Sequence, residues 1–278
     1  YGLLFWLIKA LDDNENFKLQ LIVSGTHLSP MHGLTIESIL DDGFEVSARV
    51  EMVLTSDTPV ATATSMGLGV IGLADKLSQL EPDILVVLGD RYEALAAATA
   101  AMFCQVPIAH IHGGEATEGL IDEAIRHAIT KMSHLHFVST ENYRQRVIQL
   151  GEDPKRVWNF GASAIDNIEK LPRLSKAELQ AELGITMSGN LFLVTYHPVT
   201  LKTQADADVI ANILKAAVSY GGTIIVTGTN SDTGSERIRR TIASTIKEHD
   251  KIYFFENLGT VKYLSLLLQC DLVIGNSS

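Results

Sequence analysis

The stretch "DILVVLGDRYEALAAATAAMFCQVPIAHIHGG" (residues 83–114) decides the fold class. Two apolar runs, "DILVVLGD" and "VPIAHIHGG", flank the helical pattern "RYEALAAATAAMFCQ". Continuous apolar runs are typical of central strands that are buried on both faces. A strand, a helix and a second strand at this spacing predict a βαβ unit with a parallel sheet.

The same alternation continues along the chain. The other predicted strands are "LQLIVSG", "FEVSARVEMV", "HLHFVST", "RVWNFGA", "NLFLVTYHP", "GTIIVTGT", "KIYFFEN" and "CDLVIGN". Predicted helices between them include "ATSMGLGVIGLADKLSQL", "DEAIRHAITKMS", "TENYRQRVIQLG", "ADVIANILKAAVSY" and "TGSERIRRTIASTIKEHD". We therefore expect an α/β protein built from doubly wound parallel sheets.

The segment "GASAIDNIEKLPRLSKAELQAELGITMSGN" (residues 161–190) separates two such regions. It contains a proline and a polar helix for which Ser175 is the predicted N-cap. We place an N-terminal Rossmann-like domain at 1–168 and a C-terminal nucleotide-binding Rossmann-like domain at 169–278. The chain opens on a helix and stops after a strand and "GNSS", so we expect the first domain to lack its first strand and the second to be incomplete.

The composition excludes some classes of partner. The chain has 278 residues, with 22 Lys and Arg against 33 Asp and Glu, and a formal net charge of −11. Nucleic acids and anionic membranes require a basic surface, so we expect neither as a partner. An anionic small ligand remains compatible, because it needs only a local cluster of donors.

The two cysteines and the absence of targeting signals predict a cytoplasmic protein. Cys104 and Cys270 lie beside apolar runs, as buried thiols in a reducing compartment do. The opening "YGLLFWLIKAL" lacks a basic leader and a cleavage site. No apolar window approaches the roughly 20 residues of a membrane span.

The motif "VVLGDRYEA" places Asp90 at the carboxyl end of a strand. One interpretation makes Asp90 the N-cap of the following helix. The charged Arg91 and Glu93 that follow make a plain cap a less economical explanation. The alternative is a functional carboxylate at the edge of the sheet where ligands bind.

The stretch "IAHIHGGEATEGLIDEAIRHAITK" (residues 108–131) concentrates titratable groups at the end of the next strand. Strand alternation predicts that His110 and His112 point to the same face. Gly113 and Gly114 allow a turn and a close approach to a ligand, and Glu115 follows. His110, His112 and Glu115 fit either a three-ligand metal site or an acid/base site.

The helix that follows this loop allows a structural interpretation as well. Asp122 and Glu123 lie four residues before Arg126 and His127, on matching helix faces. Surface ion pairs at the favourable end of the helix dipole explain this spacing without any catalytic role. The sequence alone leaves both interpretations open.

Three motifs in the second domain are suited to an anion. His197 ends a strand in "VTYHPVT", either as a core histidine or as a ligand-facing one. The loop "VTGTNSDTGSERI" carries Asn230 and Asp232 ahead of a helix, an arrangement that presents N–H donors to anions. The terminal "VIGNSS" contributes Asn276, Ser277 and Ser278.

Taken together, these motifs resemble one enzyme family. "LGDRYEALAAATAA", "HIHGGEATEGLIDEAIRHAITKMSHLHF", "YHPVT", "TGTNSDTGS" and "IGNSS", with "SGTHLSP" and "YGLL", resemble the hydrolysing UDP-N-acetylglucosamine 2-epimerases of the sialic-acid and legionaminic-acid pathways. Non-hydrolysing relatives carry H-x-E-A-G and P-E-E-x-N-R at the central motif, where this chain has "HIHGGE" and "IDEAIRH". The resemblance covers essentially the whole chain.

The resemblance implies a fold and a reaction. The fold is the two-domain GT-B type with the active site in the cleft between two Rossmann-like domains. The reaction converts UDP-N-acetylglucosamine and water into UDP and N-acetylmannosamine through elimination to a 2-acetamidoglucal and hydration. It requires no metal or other cofactor, and the family forms homodimers or larger homo-oligomers.

The resemblance also implies roles for residues. Asp90, Glu115 and Asp122 match the catalytic carboxylates, and His197 matches a histidine near the diphosphate. Ser277 and Ser278 match a phosphate-binding pair. We expect further substrate contacts from Arg91, Gly113, Gly114, Arg126, Asn230, Asp232 and Asn276.

One position departs from the family pattern. Some relatives have a catalytic glutamate where this chain has His112, so either His112 or Glu115 is expected to take over that role. An arginine expected just before "YGLL", and a glutamate and an arginine expected beyond "GNSS", lie outside this sequence. A molecule without them is expected to have no useful activity.

Three alternatives to the main function remain. The first is the same reaction on a UDP-2,4-diacetamido-trideoxy sugar. The second is a GT-B glycosyltransferase, which does not need paired carboxylates around C2 of the donor. The third is a non-catalytic sensor of nucleotide sugars, in which the carboxylates would be superfluous.

Overall fold

The structure is a computed structural model that describes residues 1–56, 58–117, 120–199, 206–229 and 235–276. The chain divides into two compact units, Tyr1–Asn167 and Ile168–Ser278.

The first part of unit 1 carries a two-stranded parallel sheet. Its elements are α1 (Phe5–Asp12), β1 (Leu21–Ser24), α2 (Ile36–Asp41), β2 (Val46–Val50) and α3 (Pro59–Leu80). β1 pairs with β2, and Ile8, Val23, Ile36 and Phe44 form a small apolar core with them. Thr58 caps α3 by accepting a hydrogen bond from the Ala61 amide.

The rest of unit 1 is a four-stranded parallel sheet with helices after its strands. The elements are β3 (Leu85–Leu88), α4 (Tyr92–Phe103), β4 (Ile108–Ile111), α5 (Asp122–Met132), β5 (Leu135–Val138), α6 (Glu141–Gln149) and β6 (Val157–Asn159). The next helix, α7 (Ala164–Lys170), begins in unit 1 and extends beyond its last residue, Asn167. The strand order is β3-β4-β5-β6, and every pair is parallel. The βαβ unit predicted from residues 83–114 is therefore present.

Small side chains let α4 pack closely into the core of unit 1. Ala96, Ala98 and Ala101 are fully buried, and they pack with Ile108 of β4 and Ile129 of α5. Complete burial of an isoleucine is worth about 1.5–3 kcal/mol. This packing fixes α4 and α5 against the strands that carry the candidate site.

Unit 2 is a second parallel sheet of four strands. Its elements are α8 (Lys176–Leu183), β7 (Leu191–Thr195), α9 (Asp206–Tyr220), β8 (Thr223–Thr227), α10 (Ser235–Ile246), β9 (Ile252–Phe255), α11 (Gly259–Leu267) and β10 (Leu272–Gly275). The order is β10-β7-β8-β9, with all pairs parallel. The predicted N-cap is confirmed, because Ser175 forms a capping box with Glu178 at the start of α8.

The central strands of unit 2 are buried on both faces. Val194 and Ile224 belong to one apolar cluster, and Leu193 and Ile225 belong to another. Alternate residues of one strand thus face two cores, which explains the continuous apolar runs in the sequence. The predicted α/β fold with doubly wound parallel sheets is confirmed.

Two observations bear on the remaining composition-based predictions. Cys104 and Cys270 are free and half-buried. Among the helices of the described ranges, none combines the length and apolar character that a membrane crossing requires.

Candidate active site

The candidate site in unit 1 forms where β3 and β4 end. Leu88 of β3 pairs with Ile111 of β4, and Asp90 and His112 follow directly. Since both strands run in the same direction, both side chains emerge at the carboxyl edge of the sheet, where such folds bind ligands.

Asp90 forms an ion pair with Arg126 of α5. The Arg126 side chain is only 4% exposed, and its guanidinium also donates to the Thr117 hydroxyl at 3.2 Å. The simpler interpretation of Asp90 as the cap of α4 is wrong, because Arg91 occupies that position. The Asp90 carboxylate instead lies beside a buried guanidinium at the carboxyl edge of the sheet.

The Arg91 side chain contacts two residues that follow it in the sequence. Its Nε lies 3.4 Å from Glu93, and its guanidinium lies over the Tyr92 ring at 5.6 Å. Glu93 also lies against Gly25, where an added Cβ would come within 2.9 Å of the Glu93 side chain. The loop after β1 therefore packs against the start of α4.

His112 adopts an unusual backbone conformation. Its φ is +63°, in the left-handed region that non-glycine residues rarely occupy, while its amide donates to the Phe137 carbonyl at 2.8 Å. β4 ends at Ile111, so the alternation behind the predicted shared face of His110 and His112 does not extend to His112. Such strain is concentrated at functional sites, where the surrounding structure holds it.

His112 and Glu115 interact directly. The Nδ1 atom of His112 lies 2.8 Å from Glu115 Oε1, and Ser139 at the end of β5 donates to the same oxygen at 3.0 Å. Burial raises the pKa of Glu115, but hydrogen bonds from His112 and Ser139 outweigh it, so this pKa lies below its usual value. Glu115 is therefore held as a carboxylate acceptor.

His110 is a buried structural neighbour of this site. It is fully buried, with Nε2 2.7 Å from the Gly89 carbonyl and Nδ1 3.2 Å from the Thr130 hydroxyl. Burial lowers its pKa to about 4, so the ring is neutral at physiological pH. Its Nε2 hydrogen therefore holds the backbone carbonyl that immediately precedes Asp90.

Both glycines lie close to neighbouring atoms, and the contact is much tighter at Gly114. A Cβ on Gly113 would lie 3.1 Å from both His110 Nδ1 and the Thr130 hydroxyl. Gly114 has φ +82°, and a Cβ there would come 2.4 Å from the Tyr143 carbonyl of α6. Arg146 of the same helix donates to the Gly114 carbonyl. The turn after β4 is thus fixed against α6.

The structure shows one of the two ion pairs predicted at the start of α5. Glu123 lies 3.9 Å from His127, the predicted helix pair, and it also accepts a hydrogen bond from the Thr117 amide at 3.0 Å. Arg126 reaches Asp90. Asp122 is buried in the first turn of α5, with 8% of its surface exposed.

In unit 2, the predicted residues that the structure describes lie at adjacent strand ends. Asn276, after β10, accepts from the His197 amide and donates to the His197 carbonyl, both at 2.8 Å. The Asn276 side chain thus fixes the backbone after β7. Asn230, Asp232, Ser277 and Ser278 lie outside the described residues.

The sequence reasoning missed four residues of the unit 1 site: Thr117, Ser139, Arg146 and Ser163. Ser139 had a usable signal, because it lies next to the last residue of the predicted strand "HLHFVST". Ser163 had none, because it lies in a turn 51 residues from His112, whose Nε2 it approaches. In the ranges that the structure describes, no group of three or more His, Cys, Asp or Glu side chains is arranged to hold a metal ion.

Comparison with known proteins identifies the family. The model of the UDP-N-acetylglucosamine 2-epimerase family matches residues 9–278. A Campylobacter jejuni protein named GDP/UDP-N,N'-diacetylbacillosamine 2-epimerase (hydrolyzing) is 38% identical over 98% of this chain and 71% of its own length. The Escherichia coli polysialic acid biosynthesis protein P7 is 37% identical over 100% of this chain and 71% of its own length.

A solved structure supports the fold. The Neisseria meningitidis UDP-GlcNAc 2-epimerase bound to UDP-GlcNAc covers 99% of this chain and 74% of its own, with a TM-score of 0.77 and 18% identity. This likeness shows the GT-B type of fold, with two Rossmann-like domains. Together with the family match and the identity to the C. jejuni and E. coli proteins, it shows that the chain belongs to the UDP-N-acetylglucosamine 2-epimerase family.

Proposed function

We propose that this protein is a hydrolysing 2-epimerase, which converts a UDP-2-acetamido sugar and water into UDP and the free sugar inverted at C2. The observation that carries the proposal is the cluster of proton-transfer groups at the ends of β3 and β4. There the Asp90–Arg126 ion pair and the His112–Glu115 hydrogen bond lie at the same edge of the sheet.

The reaction requires such groups in two steps. In the elimination, a base removes the C2 proton, the C2–H electron pair forms the C1–C2 double bond, and the C1–O electron pair leaves with UDP. In the hydration, water adds its oxygen to C1 and the opposite face of C2 receives a proton. Each step needs a positioned base and a positioned acid.

We assign to His112 the proton transfer that a catalytic glutamate at this position performs in some relatives. Glu115 is assigned a supporting role. Glu115 Oε1 accepts hydrogen bonds from both His112 and Ser139, so it is committed to orienting the ring. The His112 side chain is 18% exposed. A carboxylate that orients a histidine base is a recurrent arrangement in enzymes.

We assign the other carboxylate roles to Asp90 and Asp122, and the diphosphate to unit 2. Arg126 places a positive charge against Asp90. The backbone after β7, held by Asn276, presents His197 in the motif that the resemblance connects with the diphosphate. Cationic and N–H donors at that position would stabilise the departing UDP.

Two donors are candidates. The family description favours UDP-N-acetylglucosamine, with N-acetylmannosamine as product, as in sialic-acid synthesis. The name of the C. jejuni relative favours a 2,4-diacetamido-trideoxy donor linked to UDP or GDP. We further propose a cytoplasmic homodimer or larger homo-oligomer, a state that light scattering after size-exclusion chromatography measures.

A donor panel tests the proposal. The purified protein is incubated with UDP-N-acetylglucosamine, UDP-N,N'-diacetylbacillosamine or GDP-N,N'-diacetylbacillosamine without an acceptor, and the products are identified by NMR. We expect free nucleoside diphosphate and a free C2-inverted sugar from one donor. An intact donor in all three reactions contradicts the proposal. Free sugar with unchanged C2 configuration would instead indicate donor hydrolysis by a glycosyltransferase.

A further inference from the structure

The His112 ring is contacted at both nitrogens by different parts of unit 1. Glu115 lies 2.8 Å from Nδ1. On the other side, the Ser163 amide nitrogen lies 3.5 Å from Nε2, and the Ser163 hydroxyl lies 3.4 Å from it. Ser163 belongs to the turn that precedes α7. These Ser163 distances are long, as catalytic hydrogen bonds often are before substrate binds and shortens them.

These contacts select one tautomer of the ring. A carboxylate such as Glu115 only accepts hydrogen bonds, so Nδ1 carries the hydrogen. A backbone amide only donates, so the contact from Ser163 requires a free electron pair on Nε2. Both contacts therefore favour the neutral Nδ1–H tautomer, with Nε2 as the proton acceptor.

The Ser163 hydroxyl adds a property that the amide lacks. A hydroxyl donates or accepts, so it can donate to Nε2 in the neutral ring and accept from Nε2–H after proton transfer. It therefore remains a partner in both protonation states. Without it, the Nε2 side of the ring keeps only the amide contact, and the orientation of the ring depends mainly on Glu115.

We propose that Ser163 is a positioning residue that holds His112 in the Nδ1–H tautomer, with Nε2 as the nitrogen that exchanges protons with the sugar. The inference rests on the proposed function for its catalytic consequence, whereas the tautomer is a property of the free protein. The left-handed backbone of His112 directs the ring to this serine, because it interrupts the alternation of β4.

Steady-state kinetics test the catalytic consequence. We expect Ser163→Ala to lower kcat about 10- to 100-fold, as changes to residues that orient a functional group do, with KM altered by less than about threefold. Ser163→Thr keeps the hydroxyl and is expected to restore kcat to within about threefold of the wild type. This rescue separates the hydroxyl from a general effect of substitution.

The tautomer is measured directly by ¹⁵N NMR of the histidine rings in the free protein, with His112→Gln used to assign the resonance. We expect Nδ1–H alone in the wild type, in Ser163→Thr and in Ser163→Ala, because Glu115 and the Ser163 amide remain in all three proteins. Glu115→Ala removes the acceptor beside Nδ1, so we expect a mixture of tautomers in that variant. Ser29→Ala is the matched control for the spectrum, because it removes a serine hydroxyl that lies 3.0 Å from the ring of another histidine, His32. It should leave the His112 signal unchanged.

The outcomes separate the two claims. A neutral wild-type ring that carries its hydrogen on Nε2 overturns the inference, and so does a kcat of Ser163→Ala within about twofold of the wild type. Failure of the proposed function appears elsewhere, as the absence of a C2-inverted sugar with the wild-type protein. The spectrum of the free protein does not depend on that product.

Discussion

The ion pair between Asp90 and Arg126 changes how both residues are interpreted. The sequence places Arg126 four residues after Asp122, which predicts a pair within the helix. In the structure, Arg126 reaches Asp90 at the end of β3, 36 residues away. Sequence spacing does not predict that contact, because the contact depends on the packing of α5 beside the end of β3.

Replacement of Asp90 by Asn tests its proposed role in proton transfer. The amide keeps the shape of the side chain but removes its basicity, so we expect kcat to fall by about 10²–10⁴-fold. Asp122→Asn should have an effect of similar size. Product formation is measured by NMR, and the melting temperature of each variant shows whether it is folded. Losses below tenfold in both folded variants would contradict the site assignment.

His110 predicts a pH dependence of stability. Its folded pKa of about 4 lies below the unfolded value of 6.5, so the unfolded chain binds more protons between these values. Stability is therefore complete above pH 6.5 and is lost as the pH falls toward 4. We expect a contribution of about 2 kcal/mol to the loss between pH 7 and pH 5.

The control for this effect is His110→Gln, which does not titrate in this range. Urea unfolding at both pH values gives the free energy of unfolding for each protein. The variant starts from a lower stability, because it loses buried hydrogen bonds, but its decrease with pH should be smaller by about 2 kcal/mol. An equal decrease in both proteins would show that His110 does not carry the dependence.

At the scale of elements, the turn after β4 connects three parts of unit 1. A Cβ on Gly113 would contact the side chains of His110 and Thr130, and a Cβ on Gly114 would clash with the backbone of α6. The same turn leads from His112 to Glu115. The geometry of the hydrogen-bonded pair therefore depends on how closely α6 approaches the end of β4.

We expect Gly114→Ala to destabilise unit 1 more than Gly43→Ala. Both glycines have positive φ, but a Cβ on Gly43 meets nothing within 4 Å, whereas one on Gly114 lies 2.4 Å from the Tyr143 carbonyl. The backbone term is about 1–2 kcal/mol in each case. The clash should add about 1–3 kcal/mol at Gly114. Denaturant unfolding measures both, and equal losses would contradict the close approach.

The elements themselves were largely predictable. Strand and helix patterns are local, so the alternation gave the parallel sheets and the cap at Ser175. The candidate site was harder to predict from the sequence, because Ser163 approaches His112 only through the left-handed backbone at His112 and the turn before α7. Neither feature has a periodic signature in the sequence.

At the scale of the whole molecule, family membership and substrate are different questions. The family follows from the match over residues 9–278. The donor depends on contacts to C4 and C6 of the sugar, which no motif in the sequence reports. The product analysis with different donors therefore decides the substrate, whereas the family match indicates the reaction class for which to look.

We expect activity to persist in the presence of a chelator. The proposed elimination and hydration use proton donors and acceptors of the chain, so metal-binding agents should leave the rate unchanged. The rate of UDP release is compared with and without EDTA, and readdition of Mg²⁺ or Zn²⁺ serves as the control. A loss that added metal restores would contradict the metal-free mechanism.

The most direct test of the central claim is the hydrogen isotope at C2 of the product. The protein is incubated in deuterated water with the donor that it accepts, and the free sugar is analysed by NMR. Elimination and hydration predict a C2-inverted sugar with deuterium at C2 and free nucleoside diphosphate. A released sugar that keeps protium and its original configuration at C2, or an epimer still linked to the nucleoside diphosphate, would contradict the account.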